Sequence, residues 1–338
     1  MIRIGIIGAG TMGQYYARAI SECPATSLAA VADLELEKAQ KLSKRYGAQS
    51  AYRNYSDMLH EVELDAVVVA TPDFAHAEPA AAVLASGRHL LLEPPLATTL
   101  QDCNTILESA QRAGVRTLVN YANRHRPQVK RICSQLQTGV LGEITFVYSR
   151  LYEKLAKTWT LSWAHRTSPT FFLMSHIIDT VLWMTRKQVY EVFAKSVVGA
   201  VKKGALSEAD SCVAVLSFKD GAVGAFDACW AMPETAMPET EFKIELRGTR
   251  GAIRGDLLPG DIQQFTATAS TIDHSLDYTD CDGRTRGWWY DSVGYFINCI
   301  LNDTPPSPSV EEAMEVSRIA IAIEYAAKRA FPVRIEDL

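Results

Sequence analysis

Gly8-Ala9-Gly10-Thr11-Met12-Gly13 sits between the apolar run Ile2 to Ile7 and a stretch of helical spacing from Tyr15 to Ile20. Glycines at this spacing permit a tight turn, close backbone approach to a pyrophosphate and close packing of helix on strand. The N-terminus of the helix then offers free N–H groups and the positive end of its dipole to the anion. The motif alone is common, and its strand–turn–helix setting is what gives it meaning. Asp33 closes the second apolar run 20 residues after Gly13. A carboxylate there accepts from adenosine ribose hydroxyls and repels a 2′-phosphate, and the following Leu34-Glu35 brings no arginine. The expected cofactor is NAD, with NADP as the alternative, bound by Gly8, Gly10, Thr11, Met12, Gly13 and Asp33.

The first 120 or so residues alternate short apolar runs (Ile2 to Ile7, Leu28 to Ala32, Ala66 to Ala70, His89 to Leu92, Thr117 to Val119) with helical stretches such as Ala75 to Ala85. Continuous apolar strands alternating with helices predict a parallel sheet covered on both faces, a doubly wound α/β Rossmann domain. From about Glu143 the runs Phe146 to Leu151, Tyr190 to Val198, Ser211 to Phe218, Ala222 to Trp230 and Phe242 to Arg247 are rich in β-branched and aromatic residues. Lys219-Asp220-Gly221 is a hairpin signal and Arg247-Gly248-Thr249-Arg250-Gly251 a second turn. The second half is therefore expected to be an α+β domain with a large, mainly antiparallel open sheet. Ser168-Pro169 predicts the start of one helix within it, and a last helix runs from about Val310 to Ala330. The expected domains are residues 1–122 and 123–338. The tandem repeat Ala231-Met232-Pro233-Glu234-Thr235 and Ala236-Met237-Pro238-Glu239-Thr240 reads as a loop, because its prolines bar a central strand.

Composition narrows the partners. The 338 residues carry a net charge of −5 with no basic cluster, which disfavours a nucleic-acid partner. Seven scattered cysteines without a C-x-x-C pair suit a reducing compartment. The start of the chain lacks the layout of a signal peptide, and no apolar run approaches the roughly 20 residues that span a bilayer. A cytoplasmic protein without a membrane partner is expected. No His/Cys/Asp/Glu grouping has metal-ligand spacing, so no metal site is expected.

The glycine turn, Ala70-Thr71-Pro72-Asp73 with His76, Glu93-Pro94-Pro95-Leu96, Asn123-Arg124 with Pro127, Gly139-Val140-Leu141-Gly142-Glu143-Ile144, and His176 with Asp179 together resemble the glucose-fructose oxidoreductase/inositol dehydrogenase/MocA family along nearly the whole chain. The resemblance implies reversible hydride transfer at a carbon of a sugar, polyol or related cyclic hydroxy or keto compound. It also implies a homodimer or homotetramer formed through the open sheet. It adds Thr71, Pro72, Asp73, His76, Glu93 and Pro94 to the cofactor-binding residues, with His76 steadying the loop beside the nicotinamide.

Two departures fall where the chemistry is done. The family's usual Glu-Lys-Pro is Glu93-Pro94-Pro95, and the aspartate usual one turn before the helix histidine is Phe172. His176 is then the candidate acid–base or substrate-binding residue, since imidazole titrates in the working range; the alternative is a structural histidine partnered by Asp179. Tyr152 is a weaker catalytic candidate, alongside Tyr121, Tyr148 and His165. Arg124 is a candidate for binding a substrate oxygen, with a salt bridge between domains as the alternative. Trp159, Trp163, His165, Arg166 and Phe172 have the composition to stack on and hydrogen-bond a sugar-like ring. Two further functions stay open: an NAD-retaining lyase, isomerase or hydrolase working by transient oxidation, and a catalytically silent dinucleotide or sugar sensor.

Overall fold

A computed structural model describes residues 1–155, 161–198, 209–236, 240–257, 262–265, 270–273, 279–281 and 284–338. The chain forms two compact units, Met1–Ala122 with Tyr278–Met314, and Asn123–Asp277 with Glu315–Leu338.

The first unit is built on six parallel strands, β1 (Ile2–Ile7), β2 (Thr26–Ala32), β3 (Ser50–Tyr52), β4 (Ala66–Val69), β5 (His89–Leu92) and β6 (Thr117–Val119). Their order, β3-β2-β1-β4-β5-β6, is the doubly wound arrangement, with its switch point between β1 and β4. Ile4, Ile6, Val31, Val67, Val68, Leu90, Leu91 and Val119 are buried, as a sheet covered on both faces requires. β3 had no apolar signature in the sequence, being only Ser50-Ala51-Tyr52. The helix Trp288–Leu301 belongs to this unit, not to the second domain where the sequence division had put it. Its Trp289, Val293, Phe296 and Ile297 join the same apolar cluster as Tyr16 and Ile20, and Trp289 lies 4.7 Å from Tyr16 between ring centroids.

In the second unit β7 (Ile144–Lys154), β8 (Val189–Val198), β9 (Ala209–Phe218), β10 (Val223–Met232), β11 (Thr240–Gly248) and β12 (Gly251–Asp256) form one sheet with the short strand Val333–Arg334. The order is β12-β11-β7-β10-β9-β8 followed by that short strand. The neighbours β7 and β10 are parallel, and the other pairings of this sheet are antiparallel. Both predicted turns are present: Gly221 takes φ 86°, and Gly248 pairs with Gly251. The Met-Pro repeat links β10 to β11, with residues 237–239 outside the described ones.

Strand alternation gives this sheet two distinct faces. Val147, Leu151, Cys212, Ala214, Leu216, Phe226, Trp230, Phe242 and Ile244 are buried on one, the face on which the helical segment Thr170–Thr185 packs. Tyr148, Arg150, Tyr152, Val213, Val215 and Asp227 project from the other. The expected helix after Ser168-Pro169 opens as a π-turn, Thr170–Met174, and continues as the α-helix Ser175–Thr185. Single π-turns within helices recur at functional sites, and this one carries Phe172 and leads directly to His176.

Candidate functional site

The dinucleotide cradle can be read glycine by glycine. Gly8 has φ 102°, and a Cβ there would stand 2.5 Å from the Ala70 carbonyl oxygen. At Gly13 a Cβ would stand 2.0 Å from the Gly8 oxygen. Both glycines are required by the protein's own packing. Gly10 is different: it is exposed, its φ is −72°, and a Cβ would meet nothing within 4 Å. No protein atom demands glycine there, and the space that it leaves open lies at the N-terminus of α1 (Thr11–Glu22). That helix has no side-chain cap and no acidic residue in its first turn. Unfilled space beside uncapped N–H groups suits a pyrophosphate.

Asp33 stands directly after β2, beside this turn. Its Oδ2 accepts from the Ala9 N–H at 2.7 Å and its Oδ1 from the Glu35 N–H at 2.8 Å. The carboxylate thus ties the glycine turn to the end of β2 and remains partly exposed. Thr11 is exposed and Met12 half-buried at the start of α1. The residues present fit NAD.

The loops after β4 and β5 form the other half of the cradle. His76 is buried, with Nδ1 2.9 Å from the Pro95 oxygen and Nε2 3.0 Å from the Thr71 oxygen. It pins one loop to the other. Its grouping with cofactor-touching residues is corrected accordingly, because a ring closed in by two carbonyls presents no edge to a ligand. Burial also pushes its pKa down. The Thr71 hydroxyl donates to the Ala75 oxygen at 3.1 Å, and Asp73, itself buried, caps the Phe74 N–H at 2.7 Å. Pro72, Glu93 and Pro94 are partly exposed along these loops.

Glu93 has an arrangement that the sequence did not announce. The buried Tyr16 hydroxyl donates to Glu93 Oε1 and accepts from Asn120 Nδ2 at 2.8 Å. Burial raises the Glu93 carboxyl to about 7, against a smaller lowering by the Tyr16 hydrogen bond. Burial and the adjacent carboxylate push the Tyr16 phenol well above its ordinary value. In the sequence Tyr16 shows only as part of a helical face, and Asn120 belongs to no motif. A polar residue directly after the apolar run ending at Val119 was the available signal.

In the second unit, Arg124 is not a surface hand for substrate. Its Nη2 lies 2.6 Å from Asp179 Oδ1 and its Nε 3.0 Å from Oδ2, and both side chains are buried. The expected substrate contact is corrected to an ion pair within this unit, joining the segment after β6 to the helix that bears His176. Asp179 is engaged by Arg124. His176 itself is half-buried at the π-to-α junction. Phe172 packs between Trp163 (centroids 6.0 Å apart) and Trp230 (5.9 Å), while His165 and Arg166 are exposed on the turn Ala164–Arg166. Trp159 lies outside the described residues.

Tyr152 is engaged within its own sheet. Its hydroxyl donates to Asp227, and Arg150 lies 5.2 Å from its ring centroid. Burial and the Asp227 hydrogen bond raise its pKa. Because side chains alternate along β7, Tyr152 and Tyr148 project from the face opposite to the one that carries Phe172 and His176. Tyr121 is buried at the end of β6. Among the described residues there is no group of three His/Cys/Asp/Glu side chains placed to hold a metal ion, and no helix long and apolar enough to cross a membrane.

A doubly wound sheet with an open glycine cradle and a carboxylate at the end of β2 defines a dinucleotide-binding protein. The Gfo/Idh/MocA profile described as an oxidoreductase family with an NAD-binding Rossmann fold matches residues 2–121. The family's C-terminal domain matches residues 129–254. The chain belongs to this family of NAD-binding oxidoreductases. It is 24% identical to a myo-inositol 2-dehydrogenase of Thermotoga maritima, over 100% of this chain and 99% of the relative. Among solved structures, a scyllo-inositol dehydrogenase from Lactobacillus casei with bound NAD(H) and scyllo-inositol superposes with a TM-score of 0.85 at 18% identity, covering 99% of each chain. GenD2 from gentamicin A biosynthesis, in complex with NAD, gives 0.83 at 21% identity, covering 98% of this chain and 96% of the other.

Proposed function

We propose that this protein is an NAD-dependent dehydrogenase that interconverts a hydroxyl and a keto group on a polyol, sugar or related cyclic compound. The observation that carries the reading is the open space at Gly10, unexplained by the protein's own packing and flanked by Asp33. The inositol named for the relatives supports the substrate class. Bound NAD supplies the hydride acceptor. The chain's own residues do the rest: the N–H groups at the start of α1 hold the pyrophosphate, Asp33 the adenosine ribose, and Pro72 and Pro94 border the nicotinamide half. His76 keeps those loops in register. Trp163, Phe172, His165 and Arg166 form the ring-binding surface of the second unit, and His176 hydrogen-bonds a substrate hydroxyl from the π-to-α junction.

The test is oxidation of myo- and scyllo-inositol by the purified protein with NAD, followed by NADH absorbance and product analysis. Net NADH formation supports a dehydrogenase. Product without net NADH transfers the reading to a lyase, isomerase or hydrolase, and binding without either outcome to a sensor.

The same reading includes assembly through the second unit's sheet in a cytoplasmic enzyme. Phe193, Val197, Val213, Val215 and Val223 are exposed large apolar residues on β8, β9 and β10. Apolar side chains gathered on a solvent-facing sheet suit a contact between copies. Sedimentation of the wild type against Val213→Lys/Val215→Lys checks this, with a lighter particle expected for the variant.

A further inference from the structure

Pro94 has no ionisable side chain, so proton transfer beside the nicotinamide needs another group. The carboxyl ends of β4 to β6 border the nicotinamide half of a doubly wound domain. Glu93 directly follows β5 there and is partly exposed. Only one of its carboxyl oxygens is engaged: Oε1 accepts from Tyr16, and Oε2 has no partner among the described residues. Tyr16 is itself fixed from behind by Asn120. The carboxyl is thus anchored through one oxygen with the other left available, the geometry of a held acid–base group.

We propose that Glu93 is the catalytic residue that takes the substrate's hydroxyl proton, with Tyr16 as its positioning residue. The assignment deepens the dehydrogenase reading and rests on it. In the oxidation, the substrate O–H bond breaks and its proton joins Glu93 Oε2. The C–H bond of the same carbon breaks with both its electrons, which leave with the hydrogen as hydride to NAD. The carbon becomes a carbonyl, the nicotinamide is reduced, and Glu93 releases its proton to solvent. In the reverse direction the protonated carboxyl donates.

The ionisable groups of the surrounding loops leave this role open. Tyr16 stays protonated, donating to Glu93 and accepting from Asn120, His76 is closed in by Thr71 and Pro95, and Asp73 caps Phe74. A carboxyl near neutrality matches the requirement for an efficient general base at physiological pH.

The first measurement needs no substrate. Calorimetric titration of NAD and NADH into the protein at pH 7, in buffers of different ionisation enthalpy, reads proton release. The cationic ring of NAD beside Glu93 favours its carboxylate, so NAD should release a substantial fraction of a proton and NADH much less. Glu93→Gln should bind NAD without that release, and Tyr16→Phe should retain it with its pH midpoint moved upward. The second measurement is the pH profile of inositol oxidation. Turnover should rise through neutrality in the wild type, fall about 100- to 10,000-fold in Glu93→Gln with loss of that limb, and recover in part in Glu93→Asp. In Tyr16→Phe the limb should move to higher pH, a shift that loss of packing alone does not produce. Equal release by wild type and Glu93→Gln, no release by the wild type, or wild-type turnover in Glu93→Gln overturns the assignment. A wild type that releases the Glu93-dependent proton yet oxidises neither inositol supports Glu93 at the nicotinamide and overturns the substrate class instead.

Discussion

The Arg124 guanidinium meets the Asp179 carboxylate along two edges, Nη2 to Oδ1 at 2.6 Å and Nε to Oδ2 at 3.0 Å, with both side chains buried. The Arg124 guanidinium carbon also lies 5.6 Å from the Trp183 ring centroid. Removing one member leaves the other charged and desolvated, which typically costs about 3–5 kcal/mol, whereas replacing both with apolar residues is often near neutral. Arg124→Met should therefore lower unfolding stability by about that amount, and Arg124→Met/Asp179→Leu should recover most of it. Urea denaturation of the single and double variants checks this. If Arg124→Met kept full stability, the pair would not be what fixes the His176 helix.

The three glycines of the cradle should separate stability from binding. Gly13→Ala drives a Cβ into the Gly8 oxygen and should cost about 1–3 kcal/mol or more. Gly8→Ala adds an unfavourable φ of 102° to a clash with Ala70. Gly10→Ala meets no protein atom, so its stability should stay within about 0.5 kcal/mol of wild type. NAD affinity should nevertheless fall at least about tenfold, because the methyl occupies the pyrophosphate's path. Thermal denaturation and NADH fluorescence titration on the same three variants decide the matter. Unchanged affinity in Gly10→Ala would remove the observation on which the cofactor site rests.

Asp33 does two things at once, so the choice of substitution matters. Asp33→Ala leaves the Ala9 N–H without its acceptor and loosens the turn for any dinucleotide. Asp33→Asn keeps an acceptor oxygen and removes the charge. The charge is what opposes a 2′-phosphate, and like-charge juxtaposition costs several kcal/mol. Wild type should bind NAD(H) more tightly than NADP(H), and Asp33→Asn should narrow that ratio by about tenfold or more. Competitive titration of the two cofactors measures it; equal wild-type affinities would reverse the reading of Asp33.

What the sequence disclosed follows from how local each feature is. The glycine turn, Asp33 and the apolar strands are signalled by neighbouring residues, and the Rossmann sheet was accordingly legible. The Tyr16–Glu93 and Asn120–Tyr16 bonds join residues 77 and 104 positions apart, and no periodicity encodes such a meeting. Arg124 and Asp179 were both noticed, but their mutual engagement across 55 positions was not. The face that Tyr152 occupies was hidden for a simpler reason. Its strand was recognised, but which face of the sheet the helices cover is set by tertiary packing, and alternation then assigns every residue of β7 at once. The return of Trp288–Leu301 to the first unit was hidden because an apolar helix does not name the core that it joins.

The Glu93 carboxyl also predicts how stability depends on pH. Its pKa is about 7 in the folded protein against an ordinary value of 4.5. Between those values the folded state holds a proton that the unfolded state has lost, so stability falls as pH rises. This contribution is fully present below pH 4.5 and is lost as pH passes through about 7. Solvent reaches part of the side chain, which reduces the effect to the order of 1–3 kcal/mol. Glu93→Gln carries no such proton and keeps an oxygen to accept from Tyr16. Its stability relative to wild type should therefore increase from pH 5 to pH 8 by about that amount, as read from urea midpoints at matched ionic strength. Tyr16→Phe removes the hydrogen bond that favours the ionised form, so it should displace the wild-type decline toward higher pH. Parallel curves for wild type and Glu93→Gln would mean that Glu93 titrates as an ordinary surface carboxylate, and its burial beside Tyr16 would then carry no proton-linked consequence.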